Sequence, residues 1–305
     1  MPPQIFALFG PTGVGKTAVA VALATLLRER GEDPVAVSAD AMQVYAGLET
    51  LTGVASARER AALEHRMVSF MPLAATFSAG QYAKLAHTEI DGLLGAGRRP
   101  IVVGGTGLYL RAALADLDMR PAPAPGVRER LTERLEREGA QVLYEELERR
   151  APWAAEEIDP GNARRLVRAL ESLEAGRLEP PRGASQLWSE ELRHPTLLAG
   201  LTMEREALYE QIEGRVERMV AEGAREEVLR AQAAGVSETA RKALGFEELL
   251  AGDVEAMKQH TRNYARRQLA WMRKLAGVRT IDVTGRAAAE VASEILEAAL
   301  DSAAG

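Results

Sequence analysis

Residues 10–17, Gly-Pro-Thr-Gly-Val-Gly-Lys-Thr, set three residue types at the spacing Gly-x4-Gly-Lys-Thr. That spacing suits phosphate binding. Gly10, Thr12, Gly13 and Gly15 lie in a turn whose backbone N–H groups can converge on phosphate oxygens. Lys16 adds a cation at the outer phosphates, and Thr17 offers a hydroxyl to Mg2+. A second candidate is Asp40, which heads the stretch Asp-Ala-Met-Gln43-Val-Tyr45. Ligands of open α/β sheets bind beyond the carboxyl ends of strands, so a carboxylate ending a strand stands near the phosphate loop. A turn or helix-capping aspartate is the plain alternative. Thr106, within Gly104-Gly-Thr-Gly107, can donate to a phosphate or diphosphate oxygen, although many strand-to-helix turns carry glycines. Finally, residues 256–274 contain no Asp or Glu but hold Lys258, Arg262, Arg266, Arg267, Arg273 and Lys274, interleaved with Tyr264 and Trp271. On a helix Arg262 and Arg266 share a face, which suits a polyanion. A surface helix in ordinary ion pairs is the alternative.

These residues need a parallel sheet to position them. Ile5–Phe9 is a short apolar run, read as a buried strand, and residues 18–30 read as a helix with Val19, Leu23, Leu26 and Leu27 on one face. Residues 34–38 and 100–103 read as further strands, the second leading into the turn that holds Thr106. A returning strand is expected at 197–201, with Thr202 capping the next helix. Residues 46–80 give no clear pattern before a helix at about 80–94. Residues 121–125 are Pro/Ala-rich and read as a linker. Beyond them, residues 127–150 are dense in Glu and Arg and broken at Gly139, which reads as a helical hairpin. A helix at 162–174 carries Arg164, Arg165 and Arg168. The expected architecture is α/β, a P-loop-type parallel sheet core formed by 1–114 and 196–305, with a helical insertion at 115–195.

Composition narrows the function. The 305 residues contain no cysteine, which excludes disulfides and Cys-based zinc sites, and the four histidines form no ligand-spaced pair. The N-terminus runs straight into the first strand, with no room for a signal peptide, and no run of about 20 apolar residues suggests a membrane helix. A cytoplasmic protein acting as a monomer away from membranes is expected. The net charge of −6 does not advertise a nucleic-acid partner, so any such binding rests on local patches. P-loop proteins that hydrolyse ATP place an aspartate at the end of an apolar strand to support Mg2+. Here residues 101–103 lead into glycine, and Asp282 is late and poorly placed. A diphosphate that leaves fits better than a γ-phosphate that is transferred.

Taken together and in order, four stretches resemble the tRNA dimethylallyltransferases, also called tRNA isopentenyltransferases. They are residues 10–17, Asp40-Ala-Met-Gln-Val-Tyr45, Val103-Gly-Gly-Thr-Gly-Leu-Tyr-Leu110 and Thr261-Arg-Asn-Tyr-Ala-Arg-Arg-Gln-Leu-Ala-Trp271. The likeness spans about residues 4–275. It implies transfer of a dimethylallyl group from dimethylallyl diphosphate to N6 of the adenosine 3′ to the anticodon in tRNA, assisted by Mg2+, with diphosphate released. By the same resemblance Lys16, Thr17 and the loop amides hold the diphosphate, Thr106 and Arg205 help to neutralise it, and Asp40 accepts a hydrogen from the amine. Gln43 and Tyr45 grip the base and its loop. Arg165, Arg168, Lys242, Arg262, Arg266 and Arg267 bind the anticodon stem-loop. The sequence departs from the family pattern at Ala41, 51–56, Ser69, Asn162 and Arg164.

Three alternatives make different predictions. An adenylate isopentenyltransferase prenylates free nucleotide and needs neither the insertion nor the basic helix. A P-loop small-molecule kinase transfers phosphate and ignores tRNA. An RNA-binding module with a nucleotide sensor binds ATP without catalysis.

Overall fold

Strand β1 (Ile5–Phe9) is five apolar residues, all buried, as a parallel strand covered on both faces requires. The computed structural model describes residues 3–304 except 118, 120–125 and 181–185, so the linker expected at 121–125 lies outside the described residues. The chain divides into two compact units, Met1–Leu117 with Gln186–Gly305, and Asp118–Ser185.

In the larger unit β1 leads into α1 (Lys16–Glu29) and β2 (Pro34–Ser38). Two short helices, α2 (Glu49–Thr52) and α3 (Ala57–Ala62), precede β3 (Glu64–Arg66). Helix α4 (Ala79–Gly95) leads to β4 (Arg99–Gly104) and α5 (Gly107–Leu114). All six strands run parallel in the order β3-β2-β4-β1-β5-β6, where β5 is Thr196–Thr202 and β6 is Val278–Asp282. Because β4 inserts between β1 and β2, the loops after these three strands open side by side at the carboxyl edge. That reversal of strand order is where open α/β sheets bind ligands.

Phe6 and Leu8, on one face of β1, pack with Leu23 and Leu27 of α1. The C-terminal helix completes this core through Ile295 and Leu296. A second apolar cluster joins Leu48 and Leu51 of the 46–80 segment to Val216, Phe246 and Met257. It fixes the segment that the sequence left unread.

The smaller unit contains α6 (Val127–Glu138), α7 (Ala140–Arg150), α8 (Pro152–Ala155) and α9 (Ala163–Glu174). Gly139, at φ +84°, breaks α6 from α7. Leu131, Leu143, Leu147, Leu166 and Leu170 form its core. The buried Glu171 carboxylate accepts from Arg128 Nε at 2.5 Å and Nη2 at 2.9 Å, and from Arg168 at 3.2 Å. Asn162 caps α9 by accepting from the Arg165 amide.

The rest of the larger unit comprises α10 (Arg205–Ala221), α11 (Ala224–Ala234), α12 (Phe246–Ala251), α13 (Val254–Met272) and α14 (Ala288–Ala304). Thr202 does not cap α10. It is the last residue of β5, and its hydroxyl donates to the Ile281 carbonyl of β6. The helix begins three residues later, and Thr284 accepts from the amide of Glu204, which precedes the helix. A residue about 80 positions away thus does the work expected of a local cap.

Candidate active site

Gly10 follows β1 where a Cβ would come within 2.8 Å of the Leu201 carbonyl, so the chain there needs a residue with no side chain. Gly13 and Gly15 adopt φ of +85° and +91°, which glycine tolerates and other residues resist. Helix α1 starts immediately afterwards, with no side-chain cap on its first N–H groups. They are left pointing at the space where an anion would sit. Thr17, in the first turn, is half-buried and its side chain makes no hydrogen bond among the described residues.

Lys16 folds back over this loop, donating to the Gly10 carbonyl at 2.9 Å and the Pro11 carbonyl at 2.8 Å. Burial, then the charge of Arg215, pull its pKa down to about 7, while Asp40 pulls the other way. Arg215, from α10, is held below the usual arginine range by burial, with Asp40 again opposing. Its guanidinium lies so close to Gly53 that a Cβ there would collide with it. Arg215 forms no ion pair or side-chain hydrogen bond among the described residues. Arg215 thus disfavours the charge on Lys16, Asp40 favours the charge on both, and Glu59 also favours it on Arg215. Such an arrangement is costly until an anion arrives.

Asp40 holds a turn and also acts electrostatically on Lys16 of the phosphate loop. Its Oδ1 accepts from the amides of Met42 at 2.8 Å and Gln43 at 3.4 Å, as a turn aspartate does. Its second oxygen makes no hydrogen bond among the described residues. Its charge also reaches Tyr109 and Tyr264, both pushed to about 12, chiefly by burial.

The turn after β4 closes the site. A Cβ at Gly104 would collide with the Ala39 carbonyl, which brings the ends of β4 and β2 together. Thr106 Oγ1 lies 3.2 Å from the Tyr264 hydroxyl of α13. Gln268, on the same helix, donates to the Gly105 carbonyl at 2.8 Å and accepts from the Thr12 amide at 2.8 Å. One side chain thereby joins both glycine-rich turns.

Other sequence candidates lie differently. Gln43 accepts from Ser38 at 2.9 Å and donates to the carbonyls of Thr52 and Gly53, so its amide holds the 52–53 turn. Tyr45 is 1% exposed, with its hydroxyl buried and unpartnered. Arg205 has no hydrogen bond or ion pair to Lys16, Thr17 or Asp40 among the described residues. It stacks on Tyr209 at 5.7 Å and, with Arg266 and Arg273, rims a groove of about 470 Å3 floored by Leu208 and Leu269. On α13, Lys258 pairs with Glu217 and Glu255, and Arg262 with Glu213, so ordinary ion pairs account for part of its charge. Arg266 and Arg267 are exposed and form no ion pair among the described residues. Exposed Lys242 pairs with Glu238. In the smaller unit Arg164 and Arg165 are exposed without an ion pair among the described residues, whereas Arg168 is tied to Glu171. Sequence reasoning assigned no role to Arg215 or Gln268. Their contacts span the sheet, and no local spacing signals them.

No group of three or more His, Cys, Asp or Glu that could hold a metal ion occurs among the described residues. A hard cation such as Mg2+ is usually held by one or two protein oxygens plus those of a phosphate ligand. The free Thr17 hydroxyl, with Asp40 near the loop, suits that mode.

Comparisons with known proteins show the family. The family model described as IPP transferase matches residues 43–275. The tRNA dimethylallyltransferase of Thermobifida fusca is 38% identical, the match covering 88% of this chain and 87% of that protein. The tRNA dimethylallyltransferase of Geobacillus kaustophilus is 36% identical, covering 95% of each. The crystal structure of the tRNA isopentenylpyrophosphate transferase of Bacillus halodurans superposes with a TM-score of 0.68 at 30% identity, covering 98% of this chain and 95% of that one.

Proposed function

The chain belongs to the IPP transferase family, and we propose that it moves a dimethylallyl group from dimethylallyl diphosphate to N6 of the adenosine 3′ to the anticodon in tRNA. In this reaction the C1–O bond of the prenyl diphosphate breaks and an N6–C1 bond forms. Diphosphate leaves with the electron pair, and the amine proton passes to Asp40. An exocyclic amine is a weak nucleophile, so a carboxylate within hydrogen-bond reach assists it. Charge accumulates on the departing diphosphate, where the loop amides, Lys16, Arg215 and Thr106 can stabilise it. Mg2+, when bound through Thr17 and the diphosphate, adds further compensation for that charge. A base in an anticodon loop is extruded at lower cost than one in a duplex.

The observation that carries this reading is the pair of desolvated cations, Lys16 and Arg215, beside a carboxylate with a free oxygen. A kinase site would place a carboxylate where β4 ends, and glycine stands there. The exposed Arg164, Arg165, Arg266 and Arg267 supply cations for an RNA backbone that a free-nucleotide enzyme does not need. The reading also carries a cytoplasmic site of action and a single chain as the acting unit.

The deciding assay supplies Mg2+, labelled dimethylallyl diphosphate and unmodified tRNA, with free AMP and ATP in parallel. Label in tRNA alone is expected. Label in free nucleotide would move the protein to the adenylate-prenylating class.

Two binding results follow. Arg266→Ala with Arg267→Ala is expected to weaken tRNA binding and to lower the slope of log K against log salt by about 1.4–1.8, the value for two lost phosphate contacts. An unchanged slope would return that face to ordinary solvated charge. The second concerns Lys16, whose pKa lies near 7 without ligand and must rise when diphosphate binds. Below pH 7 the ammonium is already charged. Above it, each pH unit leaves about one-tenth as much charged lysine, so diphosphate affinity falls by up to about tenfold per unit. Lys16→Arg stays charged throughout. The affinity ratio of wild type to Lys16→Arg should therefore be flat below pH 7 and fall above it. The ligand's own titration cancels in that ratio.

A further inference from the structure

Gln268 is 5% exposed, and both ends of its amide are committed to backbone. Oε1 accepts from the Thr12 amide of the phosphate loop, and Nε2 donates to the Gly105 carbonyl of the turn after β4. The positions lie 256 and 163 residues away in sequence. Tyr264, one turn earlier on α13, meets Thr106 through its hydroxyl. Trp271, nearly a turn later, is packed so closely on Gly107 that a Cβ there would collide with it. Both glycine-rich turns thus rest on a single face of α13. Arg266 and Arg267, exposed and without ion pairs among the described residues, precede Gln268 directly.

Backbone donors away from water are paired with backbone, side chains or ordered water. Thr12 lies within the phosphate loop, and its amide is satisfied by a side chain from the helix that carries the exposed arginines. A shift or ordering of α13 by a fraction of an ångström must therefore alter how the Thr12 amide and the Gly105–Thr106 turn are aimed. Interior packing leaves little slack to absorb it.

Resting on the RNA-modifying reading above, we propose that Gln268 is a positioning residue that couples polyanion binding on α13 to the diphosphate site. RNA engaging Arg266 and Arg267 fixes α13, Gln268 transmits that to both turns, and diphosphate then binds a better-ordered cradle. By reciprocity, diphosphate tightens RNA binding by the same factor.

The test measures binding rather than turnover. The affinity of inorganic diphosphate with Mg2+ is determined by calorimetry with and without saturating unmodified tRNA, for wild type, Gln268→Met and Gly105→Ala. Gln268→Met keeps the volume of the side chain and removes both hydrogen bonds. Gly105→Ala, whose Cβ would meet the Gln268 amide, breaks the same clasp from the other side. Wild type should bind diphosphate about 5-fold or more tightly in the presence of tRNA, the lower end of ordinary coupling. Each variant that retains a cooperative melt should have the coupling factor reduced to below about 2, whatever its affinity for each ligand alone. Wild type that binds both ligands without coupling overturns the proposal. So does a variant that keeps full coupling, or one in which both separate affinities collapse while coupling persists. Failure of wild type to bind tRNA at all would overturn the functional reading itself, which separates the two failures. If Gln268→Met does not fold, Gly105→Ala carries the same comparison.

Discussion

Asp40→Asn is expected to lower turnover at least ~100-fold while leaving the fold and tRNA affinity close to wild type, the usual scale for removing a general base. Asparagine is the informative change because Asp40 has two jobs. Its Oδ1 holds the turn by accepting from Met42 and Gln43. The asparagine oxygen can still do that, but its NH2 group cannot accept a proton. Asp40→Ala removes both functions, so any additional loss in the alanine variant measures the turn. The readouts are single-turnover transfer to tRNA and filter binding of tRNA to each variant. Near-normal turnover in Asp40→Asn would remove the carboxylate from proton transfer and leave it as a turn residue. A loss shared equally by tRNA binding would make its role one of base recognition.

Lys16→Met is expected to cost about 10²–10³ in turnover, the range for removing one preorganised donor from a developing anion. Stability should move the other way. Burial and Arg215 both disfavour the charged lysine and outweigh the attraction of Asp40, so removing it relieves that cost. Thermal unfolding without ligand should occur at the same temperature as wild type or higher. The hydrogen bonds from Nζ to the carbonyls of Gly10 and Pro11, both buried residues, are lost in exchange and offset part of that gain. A variant that keeps turnover within tenfold would show that Arg215 and the amides suffice. A variant that melts several degrees lower would show that Lys16 is a structural strut.

Much of this was legible in the sequence, for identifiable reasons. The phosphate loop could be read because its chemistry demands fixed residue types at fixed spacing. The strands β1, β2 and β4 could be read because burial on both faces leaves nearly unbroken apolar runs. Residues 46–80 could not. Strand β3 there is Glu64-His-Arg66 at a sheet edge, where neither face must be apolar, and α2 is a single turn. The stretch is fixed by long-range contacts, such as Glu227 accepting from the amides of Thr50 and Leu51. Thr202 misled because a hydroxyl before a helix is a sound capping signal, yet the neighbouring strand claimed that hydroxyl. The roles of Gln268 and Arg215 exist only through space. The charge of α13 was visible, but not that Glu213 and Glu217 on α10 neutralise part of it.

The close contact between Gly104 and the Ala39 carbonyl bears on which activities the scaffold can acquire. Nucleotide-hydrolysing proteins with a similar phosphate loop rely on an acidic residue at a strand end. Here even a methyl group at Gly104 would collide with the Ala39 carbonyl and force the ends of β2 and β4 apart, next to Asp40. One substitution cannot add the missing acid without damaging the existing activity. The intermediate would be poor at both reactions, so drift toward phosphate hydrolysis is closed at its first step. The bare glycine thus ties the close approach of the two strand ends to the lack of an acid at that position.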